Sequence, residues 1–588
     1  MSSRIVLGLS FFASLGLVLS SCNSPEESPY PGACRPVTAK SRTQAYAQAA
    51  TQSLAFEAMS HIPKAARSFA DRGALSRNQV LPVMISLELN HEDELDRRLL
   101  ELYTPGSASY RNFVTPDEFR ARYAPTQEQV EQAQSYLAAQ GITDLKINEN
   151  GYLIEGKASV GALKSAFQAE IRQYKDSTGK VYFAPSSEPK LPHGLRIRAV
   201  HGLSNMARFQ SFAQKQETIS AQLGSGPSGG FTPQDIRQAY RVPTQTSGAG
   251  QTIAVVALDG YSASDIASYQ RAFGIPAVPL QNVFIDGATG AMGQEAMETT
   301  LDIELVSALA PGAKKIMVYQ APNSAQSVLN LYSRIANDNV AQIVTTSWGG
   351  PEQMQSTSFL MGESSIFKQM ALQGQTVFAA SGDAGAYGDQ KNISVIDPAS
   401  QPFVVAVGGT RLYASGGTYQ GETTWNNGSA SQGAGGGGVS ALWVQPGWQS
   451  GVNTSINRGS ASMRNVPDVA LNSDPMTGYA IYFSGRWVTV GGTSAAAPLW
   501  AGFTALVNEK RQVNGLRQIG FMNPILYSLG RGSRYSSDFN DIRDGSTNLY
   551  YPAVQGYDNA TGWGSFNGQG LFDDLSIDTS DTSAAIGC

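Results

Sequence analysis

The sequence has few histidines, and all of them lie before residue 202. The 588 residues contain His61, His91, His193 and His201, so no histidine follows Gly202. A nucleophilic serine normally passes its proton to a neighbouring histidine. A serine–histidine pair is therefore excluded from the long C-terminal part of the chain, unless an N-terminal histidine reaches across to it.

Cysteine is also scarce. The three cysteines are Cys22, Cys34 and Cys588, so none lies between positions 34 and 588. This distribution argues against thiol catalysis and against a cysteine-bound zinc site inside the C-terminal part. If Cys22 carries lipid, Cys34 and Cys588 either stay free or form a disulfide in an oxidising compartment.

A short apolar run opens the chain. The segment MSSRIVLGLSFFASLGLVLSSC has one early arginine, an apolar run and small residues before Cys22. This pattern is typical of a bacterial export signal, and its apolar run is too short to favour a membrane span. The ending Leu-Ser-Ser-Cys resembles a lipobox, so we predict a signal peptide of lipoprotein type over residues 1–21 and a lipid anchor on Cys22. A plain secretion signal is the alternative. In either case we expect an exported protein, either a membrane-anchored lipoprotein or a secreted, extracellular one.

Length and charge favour more than one domain. A chain of 588 residues is too long for one ordinary hydrophobic core. Residues 1–228 carry a net charge of +3 and residues 229–588 one of -8, together the -5 of the whole chain. The opposite signs suggest that the two parts dock, and the alternative is two ordinary soluble surfaces. No basic patch resembles a nucleic-acid site, so we expect no nucleic-acid partner.

The texture of the sequence changes along the chain. Residues 22–79 resemble a linker with a short helix, and residues 80–205 mix strand and helix patterns as in a compact α+β domain. Residues 206–228 are polar and end in glycine and serine, which predicts an exposed, cleavable linker. Across residues 229–588, apolar runs such as TIAVVAL, KIMVYQA and TVFAAS alternate with helical segments. That alternation predicts an α/β domain built on a parallel sheet.

The stretch GGTSAAAP presents a serine at the start of a predicted helix. Two glycines precede Ser494, and Pro498 suits the first turn that follows. Backbone N–H groups at a helix start are unpaired, and the helix dipole is positive there, so the position suits a developing oxyanion. A structural helix capped by serine is the alternative.

Carboxylates are the remaining candidates for the base. In EAMETTLDIEL, Glu298 and Asp302 are four residues apart and share one face of a helix. Glu304 would point elsewhere, and Glu295 is the competing candidate. Asp383 follows the apolar run TVFAAS, at the end of a strand where open α/β sheets place their sites. An ordinary acidic helix start and a turn aspartate are the alternatives.

Taken together, these elements resemble the sedolisin, or serine-carboxyl peptidase, family, including its kumamolisin-like proenzymes. The matching stretches are Glu298-Thr-Thr-Leu-Asp302, Ser381-Gly382-Asp383, Gly492-Thr493-Ser494 with Pro498, TTSWGGPE, RNVPDVAL and YTPGSASYRNFVTPDEFRARYAPT. The resemblance covers nearly the whole chain after the signal. It implies a subtilisin-like α/β parallel-sheet catalytic domain (229–588), preceded by a ferredoxin-like α+β activation prodomain (80–205).

The resemblance also implies a mechanism. Glu298 would be the general base for Ser494, Asp302 would share a proton with Glu298, and protonated Asp383 would donate to the oxyanion. The pKa of an unperturbed carboxyl group is about 4. A carboxylate base and a protonated carboxyl donor therefore coexist in acid, or where neighbours raise the pKa of one of them. We expect a monomeric, acid-active endopeptidase for protein or peptide substrates. It would be made as a proenzyme, inhibited by its own prodomain, and would cut itself within 220–230. The alternative is a catalytically inactive, surface-anchored binding protein that keeps the fold.

The segment DFNDIRDGSTNLYYPAVQGYDNATGWGS suggests a calcium site. Carboxylates are hard oxygen ligands, and glycine and asparagine turns can present backbone carbonyls. The family's calcium site pairs Asp-Ile with a later Gly-x-Gly-x-Asp. The resemblance therefore implies one structural calcium ion, with Val554 standing where the first of those glycines would be. The implied ligands are Asp541, Ile542, Val554, Gly556 and Asp558.

One position departs from the family pattern near the predicted active site. Many relatives carry glutamate two residues after an isoleucine in the first strand of the domain, whereas this chain has Ala257 in AVVALDGY. An auxiliary carboxylate is therefore missing there, which bears on rate and specificity rather than on the core reaction.

Overall fold

The fold comes from a computed structural model that describes residues 60–216 and 224–578. The predicted signal peptide and all three cysteines lie outside these ranges, as do residues 217–223 of the predicted linker. Within the described ranges, no helix combines the length and apolar character needed to cross a membrane.

A four-stranded antiparallel sheet forms the centre of the N-terminal domain. The strands lie in the order Thr143–Ile147, Leu153–Ser159, Val80–Leu87 and Ile197–His201. The helices Glu92–Leu102, Pro116–Tyr123 and Gln127–Ala139 lie between Val80–Leu87 and Thr143–Ile147, and Val160–Phe167 follows Leu153–Ser159. This β-α-β-β-α-β connection with its strand order is the ferredoxin-like arrangement. The α+β prediction for this domain is confirmed.

Residues 60–79 belong to the same domain rather than to a linker. They contain a 3₁₀ helix, Lys64–Ser68, and a strand, Ala70–Ala74. The strand pairs with Ile171–Lys175, which in turn pairs with Val181–Pro185. The predicted linker 22–79 is therefore wrong over its described part. The sequence ADRGA lacks apolar alternation and its partner is distant along the chain, so no local pattern revealed the pairing.

The C-terminal domain is built on an eight-stranded, mainly parallel sheet. The order is Leu280–Phe284, Lys315–Gln320, Thr252–Ala257, Ile343–Thr346, Thr376–Ala380, Val405–Ser415 and Thr418–Thr424, and Val469–Asn472 also pairs with Val405–Ser415. Every pairing is parallel except the one between the last two strands of that order. The central strands are buried on both faces, as expected when helices cover a parallel sheet. The prediction of a subtilisin-like α/β domain is confirmed.

Two buried helices of this domain pack closely against each other. A Cβ atom at Gly502 on Thr493–Val513 would lie only 2.9 Å from the Cβ of Leu309 on Ala296–Leu309, so glycine permits the contact. The remaining α-helices described in this domain are Pro233–Ala239, Ala263–Ala272, Ala325–Asp338, Thr357–Leu372, Asn523–Gly530, Tyr535–Asp538 and Gly568–Leu575. Short strands outside the main sheet are Trp348–Pro351, Ile396–Asp397, Gly438–Val444, Met463–Val466, Tyr479–Phe483, Arg486–Gly491, Phe539–Asn540 and Ser565–Phe566.

The two domains dock through specific polar contacts. Asn150 and Tyr152 reach the side chain of Gln369 at 2.8 and 3.1 Å. Asp96 pairs with Lys368 at 2.7 Å. Arg111 of the N-terminal domain also pairs with Asp578 of the C-terminal domain, so the two ion pairs place the acid on opposite sides of the interface. The domains dock, as the opposite net charges suggested, through both neutral and charged contacts.

The first half of the predicted exposed linker lies in a cleft of the C-terminal domain. Gln210–Ser211 pairs with Trp348–Pro351, and Gln214–Lys215 pairs with Arg486–Gly491, both antiparallel. The prediction of an exposed linker is therefore wrong for residues 206–216. Their polar composition resembles that of a solvated segment, but strands of the cleft take up their backbone hydrogen bonds.

Candidate active site

Two carboxyl groups lie one turn apart on the buried helix Ala296–Leu309. The side chains of Glu298 and Asp302 are both fully buried. The hydroxyl of Ser494 donates to Oε2 of Glu298 at 2.8 Å. Oε1 of Glu298 and Oδ2 of Asp302 have no hydrogen-bond partner among the described residues. Two unpaired carboxyl oxygens on adjacent turns are well placed to share a proton.

Burial controls the protonation of this pair. It raises the pKa of Glu298 well above the ordinary value, and the charge of Asp302 raises it further, against hydrogen bonds from Ser494 and two backbone N–H groups. Burial likewise raises the pKa of Asp302, while the Ser347 hydroxyl lowers it. Two buried carboxylates this close repel each other, so the pair retains one proton more readily than isolated carboxyl groups do.

Ser494 lies at the second position of the helix Thr493–Val513. Gly492, with φ of 104°, makes the turn into that helix. Pro498 lacks an N–H group, so the carbonyl of Ser494 loses its normal partner four residues later. Ser347 stands beside this gap: its hydroxyl is 3.3 Å from that carbonyl oxygen and donates to Oδ1 of Asp302 at 2.7 Å.

Asp383 approaches Ser494 from the central sheet. It follows the strand Thr376–Ala380 through Gly382, whose φ is 101°. The backbone N–H and the hydroxyl of Thr493 both donate to Oδ1 of Asp383, at 2.8 and 2.9 Å. Burial raises the pKa of Asp383 to about 8, against these bonds and a weaker one from Gln214. Oδ2 has no partner of normal hydrogen-bond geometry among the described residues, so a protonated Asp383 has a donor to offer.

The competing candidates lie elsewhere. Glu295 is exposed and accepts a hydrogen bond from Ser211. Glu304 accepts the backbone N–H of Tyr482 at 2.9 Å, away from Ser494. His201 contacts Ser86 inside the N-terminal domain. The structure therefore brings together the four predicted catalytic positions without a histidine among their described hydrogen-bond partners.

Two residues of this site had no role in the prediction from sequence. Ser347 lies within TTSWGGPE, a stretch that was matched to the family only as a familiar pattern. Thr493 lies beside the nucleophile, where its hydroxyl also accepts the N–H of Gly382 at 3.0 Å. Ala257, the departure from the family pattern, is buried at the end of its strand. A small hydroxyl residue at the end of a buried strand is the signal that could have revealed Ser347.

The chain segment that joins the two domains covers this site. The backbone N–H groups of Phe212 and Ala213 both donate to Oε2 of Glu298, at 2.6 and 2.8 Å. A Cβ atom at Gly492 would lie 1.7 Å from the carbonyl oxygen of Phe212 and 2.8 Å from Oδ2 of Asp383. The segment thus lies against Glu298, the predicted base, and against Asp383, the predicted oxyanion donor.

Hydrogen bonds link four of the five predicted calcium ligands in pairs. The N–H of Gly556 donates to Asp541 at 3.2 Å, and the N–H of Val554 donates to Asp558 at 2.8 Å. Burial raises the pKa of both carboxyl groups, to about 8 for Asp558. No group of three or more histidine, cysteine or carboxylate side chains is arranged to hold a metal ion in the described part of the chain. Two carboxylates beside a turn rich in carbonyls fit a calcium ion better than a transition metal.

Comparisons with known proteins agree with this geometry. A family profile described as Pro-kumamolisin, activation domain, matches residues 67–206, and one described as Subtilase family matches residues 288–522. Kumamolisin from Bacillus sp. strain MN-32 is 34% identical over 531 residues, covering 86% of this chain and 93% of the relative. The chain belongs to the sedolisin, or serine-carboxyl peptidase, family.

Other sedolisin-family relatives span most of the chain. Sedolisin from Pseudomonas sp. strain 101 is 30% identical and covers 85% of this chain and 88% of the relative. Tripeptidyl-peptidase 1 from Canis lupus familiaris is 26% identical and covers 84% and 91%. The solved structure of Pseudomonas sedolisin with pseudo-iodotyrostatin superposes with a TM-score of 0.54 at 30% identity, covering 59% of this chain and 98% of that one. This sedolisin-family chain is accordingly a serine peptidase proenzyme with an activation prodomain.

Proposed function

We propose that this sedolisin-family proenzyme matures to an acid-active endopeptidase that uses Ser494, Glu298, Asp302 and Asp383. The observation that carries the proposal is the 2.8 Å hydrogen bond from the Ser494 hydroxyl to Glu298 in a site without histidine. A buried carboxylate at that distance is placed to accept the proton of the nucleophile.

The chemistry follows from the positions of the four side chains. Glu298 takes the Ser494 proton as Oγ bonds to the peptide carbonyl carbon. The backbone N–H of Ser494 and the protonated carboxyl of Asp383 hold the resulting oxyanion. Glu298 returns the proton to the leaving amine, and the C–N bond breaks to leave an acyl-enzyme. Water then attacks the acyl-enzyme, with Glu298 as base, and releases the acid product. Asp302 shares a proton with Glu298 throughout.

The cleft supports an endopeptidase rather than a tripeptidyl exopeptidase. The joining segment pairs with cleft strands on both sides of Ser494, through Gln210–Ser211 and Gln214–Lys215. A substrate chain can therefore extend in both directions from the nucleophile. We expect an N-acetylated, C-amidated decapeptide to be cut internally about as fast as its free-ended counterpart. Release of tripeptides from free N-termini alone, by mass spectrometry, would contradict endopeptidase action.

We also propose one structural calcium ion at the turn near residue 556. Carbonyls of Ile542, Val554 and Gly556 and the carboxylates of Asp541 and Asp558 would hold it, and the ion would neutralise two buried carboxyl groups. Removing calcium with EGTA is expected to lower the melting temperature of the protein by about 5 °C, because an ion bound only to the folded state stabilises it.

The calcium proposal has a matched control. Asp541→Asn should lower the melting temperature and remove the effect of EGTA, whereas Asp573→Asn should do neither, because Asp573 is an exposed aspartate of the last helix. Calorimetry measures the melting temperatures with and without about 5 mM calcium, which is an excess over the dissociation constants of such sites. Equal melting temperatures with EGTA and with calcium would exclude a structural ion.

Export through a lipidated Cys22 remains a proposal from the N-terminal sequence, and so does a monomeric state. Mass spectrometry of the N-terminal peptide from a membrane fraction tests the anchor. We expect a peptide that begins at Cys22 and carries the added mass of its acyl chains. A mature protein that begins elsewhere, with Cys22 removed or its thiol free, would contradict the anchor.

Size-exclusion chromatography with light scattering tests the proposed monomeric state.

A further inference from the structure

The peptide bond between Phe212 and Ala213 lies beside the hydrogen-bonded pair Ser494 and Glu298. The N–H of Ala213 and the hydroxyl of Ser494 reach the same oxygen of Glu298, each at 2.8 Å. A base must reach these two positions in turn, first to accept the proton of the nucleophile and then to protonate the leaving amine. The carbonyl oxygen of Phe212 lies on the other side, against Gly492 and Asp383.

The register of the segment agrees with this placement. Ser211 and Gln210 lie opposite Trp348 and Gly349 in an antiparallel pairing that ends one residue before Phe212. The Phe212 side chain is buried. A Cβ atom at Gly349 would lie 2.5 Å from Cγ2 of Ile396 and 3.1 Å from Cε2 of Phe212, so the ring packs beside that glycine together with Ile396.

We propose that Phe212–Ala213 is the bond that the proenzyme first cuts in itself, and that the pocket beside Gly349 selects an aromatic side chain before the cut. Ser494 Oγ gives its proton to Glu298 and bonds to the carbonyl carbon of Phe212; Glu298 passes that proton to the nitrogen of Ala213, and the C–N bond breaks. Water then hydrolyses the ester, which frees the Ser494 hydroxyl and leaves a carboxylate on Phe212. The inference rests on the proposed function, and it places the first cut outside the range 220–230 expected from sequence.

Time-resolved mass spectrometry of the acidified proenzyme tests the bond. The first products should end at Phe212 and begin at Ala213. Phe212→Ala should slow that cut by roughly 10-fold or more, because the aromatic ring is lost from its pocket. Phe209→Ala is the matched control, since Phe209 is equally buried in the same segment but packs against Phe359. It should leave the position of the first cut unchanged.

The outcomes separate this inference from the proposed function. A first cut at another bond, by an enzyme that still hydrolyses added peptides in acid, would overturn the inference alone. Equal rates for the wild type and Phe212→Ala, or no preference for phenylalanine over alanine in peptides that differ only there, would overturn the aromatic pocket. No acid-dependent cleavage of any peptide bond would overturn the proposed function itself.

A second observation concerns the histidines, which all lie in the N-terminal domain or at its edge. His201 is 3% exposed and lies against the C-terminal domain, where a Cβ atom at Gly362 would be 3.0 Å from its Cε1. Its Nε2 is 3.1 Å from the hydroxyl of Ser86, and its Nδ1 has no hydrogen-bond partner among the described residues. A protonated imidazole would need an acceptor at both nitrogens.

The groups around His201 offer no carboxylate to balance a charge. From the segment before the first strand comes His61, whose Nε2 accepts the N–H of Val200 and whose Nδ1 faces Glu188. On the helix Thr357–Leu372, Glu363 follows Gly362 but interacts with Asp397. Ser86 is the neighbour on the adjacent strand. A charge on His201 would therefore be buried without a counter-ion among these described neighbours.

We infer that His201 is an acid-sensing contact that releases the prodomain when it takes up a proton. Burial, with a smaller effect of His61, lowers the pKa of His201 from 6.5 to about 3 in the docked state. A group with a depressed basic pKa stabilises the docked state above its free pKa and loses that effect as pH falls toward its docked pKa. Between pH 6.5 and 4 the docking equilibrium should weaken on the order of 100-fold through this residue.

Release of the cut prodomain, followed against pH by size-exclusion chromatography, tests the sensor. The midpoint of release should move to lower pH in His201→Gln, which cannot take up the proton, while the first cut, made with the prodomain docked, keeps its wild-type pH dependence. His193→Gln, an exposed histidine of the same domain, should keep the wild-type midpoint. An unchanged midpoint in His201→Gln would overturn the inference.

A melting experiment does not depend on catalysis. In proenzyme inactivated by Ser494→Ala, the melting temperature should fall more steeply between pH 7 and pH 4 with His201 than with His201→Gln. His201→Asn serves as a second variant if the first does not fold at pH 7. Identical pH dependence of melting with and without His201 would also overturn the sensor.

Discussion

Glu298→Gln is expected to lower kcat of the processed enzyme by roughly 10⁴-fold, with little change in KM. An amide cannot accept the Ser494 proton. In the structure the Ser494 hydroxyl donates to Glu298 at 2.8 Å. The loss should appear at every pH, since glutamine does not titrate. Steady-state kinetics on a chromogenic peptide measures it. The variant would be processed in trans by wild-type enzyme, because its own processing should fail as well.

Two matched substitutions separate catalysis from folding. Glu304→Gln lies on the same buried helix and keeps an oxygen for the N–H of Tyr482, so it should retain most activity. Glu295→Gln replaces the exposed competitor at the start of that helix and should do the same. If Glu298→Gln retained a tenth or more of wild-type kcat, the carboxylate would not be the base, and the structure would need another proton acceptor.

Asp383→Ala is expected to lower kcat by about 10²- to 10³-fold, because it removes one donor to the oxyanion. Asp383→Asn is the informative partner, since its amide keeps an N–H donor that does not titrate. Burial raises the pKa of Asp383 to about 8 in the proenzyme, so the carboxyl is protonated in acid and loses its proton as pH rises. Wild-type activity should therefore fall on the alkaline side through loss of that proton.

The pH profile distinguishes the two substitutions. The activity of Asp383→Asn, expressed as a fraction of its own maximum, should extend to higher pH. The activity of Asp383→Ala should be low at every pH. The acid side of both profiles should stay as in the wild type, because the Glu298–Asp302 pair sets it. An alkaline limb that is unchanged in Asp383→Asn would mean that some other group titrates there.

Local patterns were enough to predict the four positions that the structure brings together around Ser494. The spacing of Glu298 and Asp302 places both on one helix face in any helix, and an apolar strand before Asp383 places that residue at a sheet edge. The missing histidine left few other proton acceptors. These features depend on short stretches of sequence and on a common layer architecture. The structure therefore places these residues on the helix and after the strand that the patterns predicted.

The contacts that complete the site depend on residues far apart in the sequence. Ser347 meets Asp302 only because the strand Ile343–Thr346 ends beside the helix Ala296–Leu309, and no periodicity encodes that approach. The segment 206–216 was misjudged because its polar side chains indicate solvent, whereas its backbone pairs with two separate strands of the cleft. Hydrogen bonds of the backbone carry no side-chain pattern, so sequence composition could not show them.

Acidification of the purified proenzyme tests the central claim, that carboxyl groups replace histidine in this peptidase. The wild type and Ser494→Ala would be incubated at pH 4 and at pH 7, with products followed by mass spectrometry. We predict self-processing only in the wild type and much faster at pH 4 than at pH 7. Processing of Ser494→Ala, or equal rates for the wild type at the two pH values, would contradict the account.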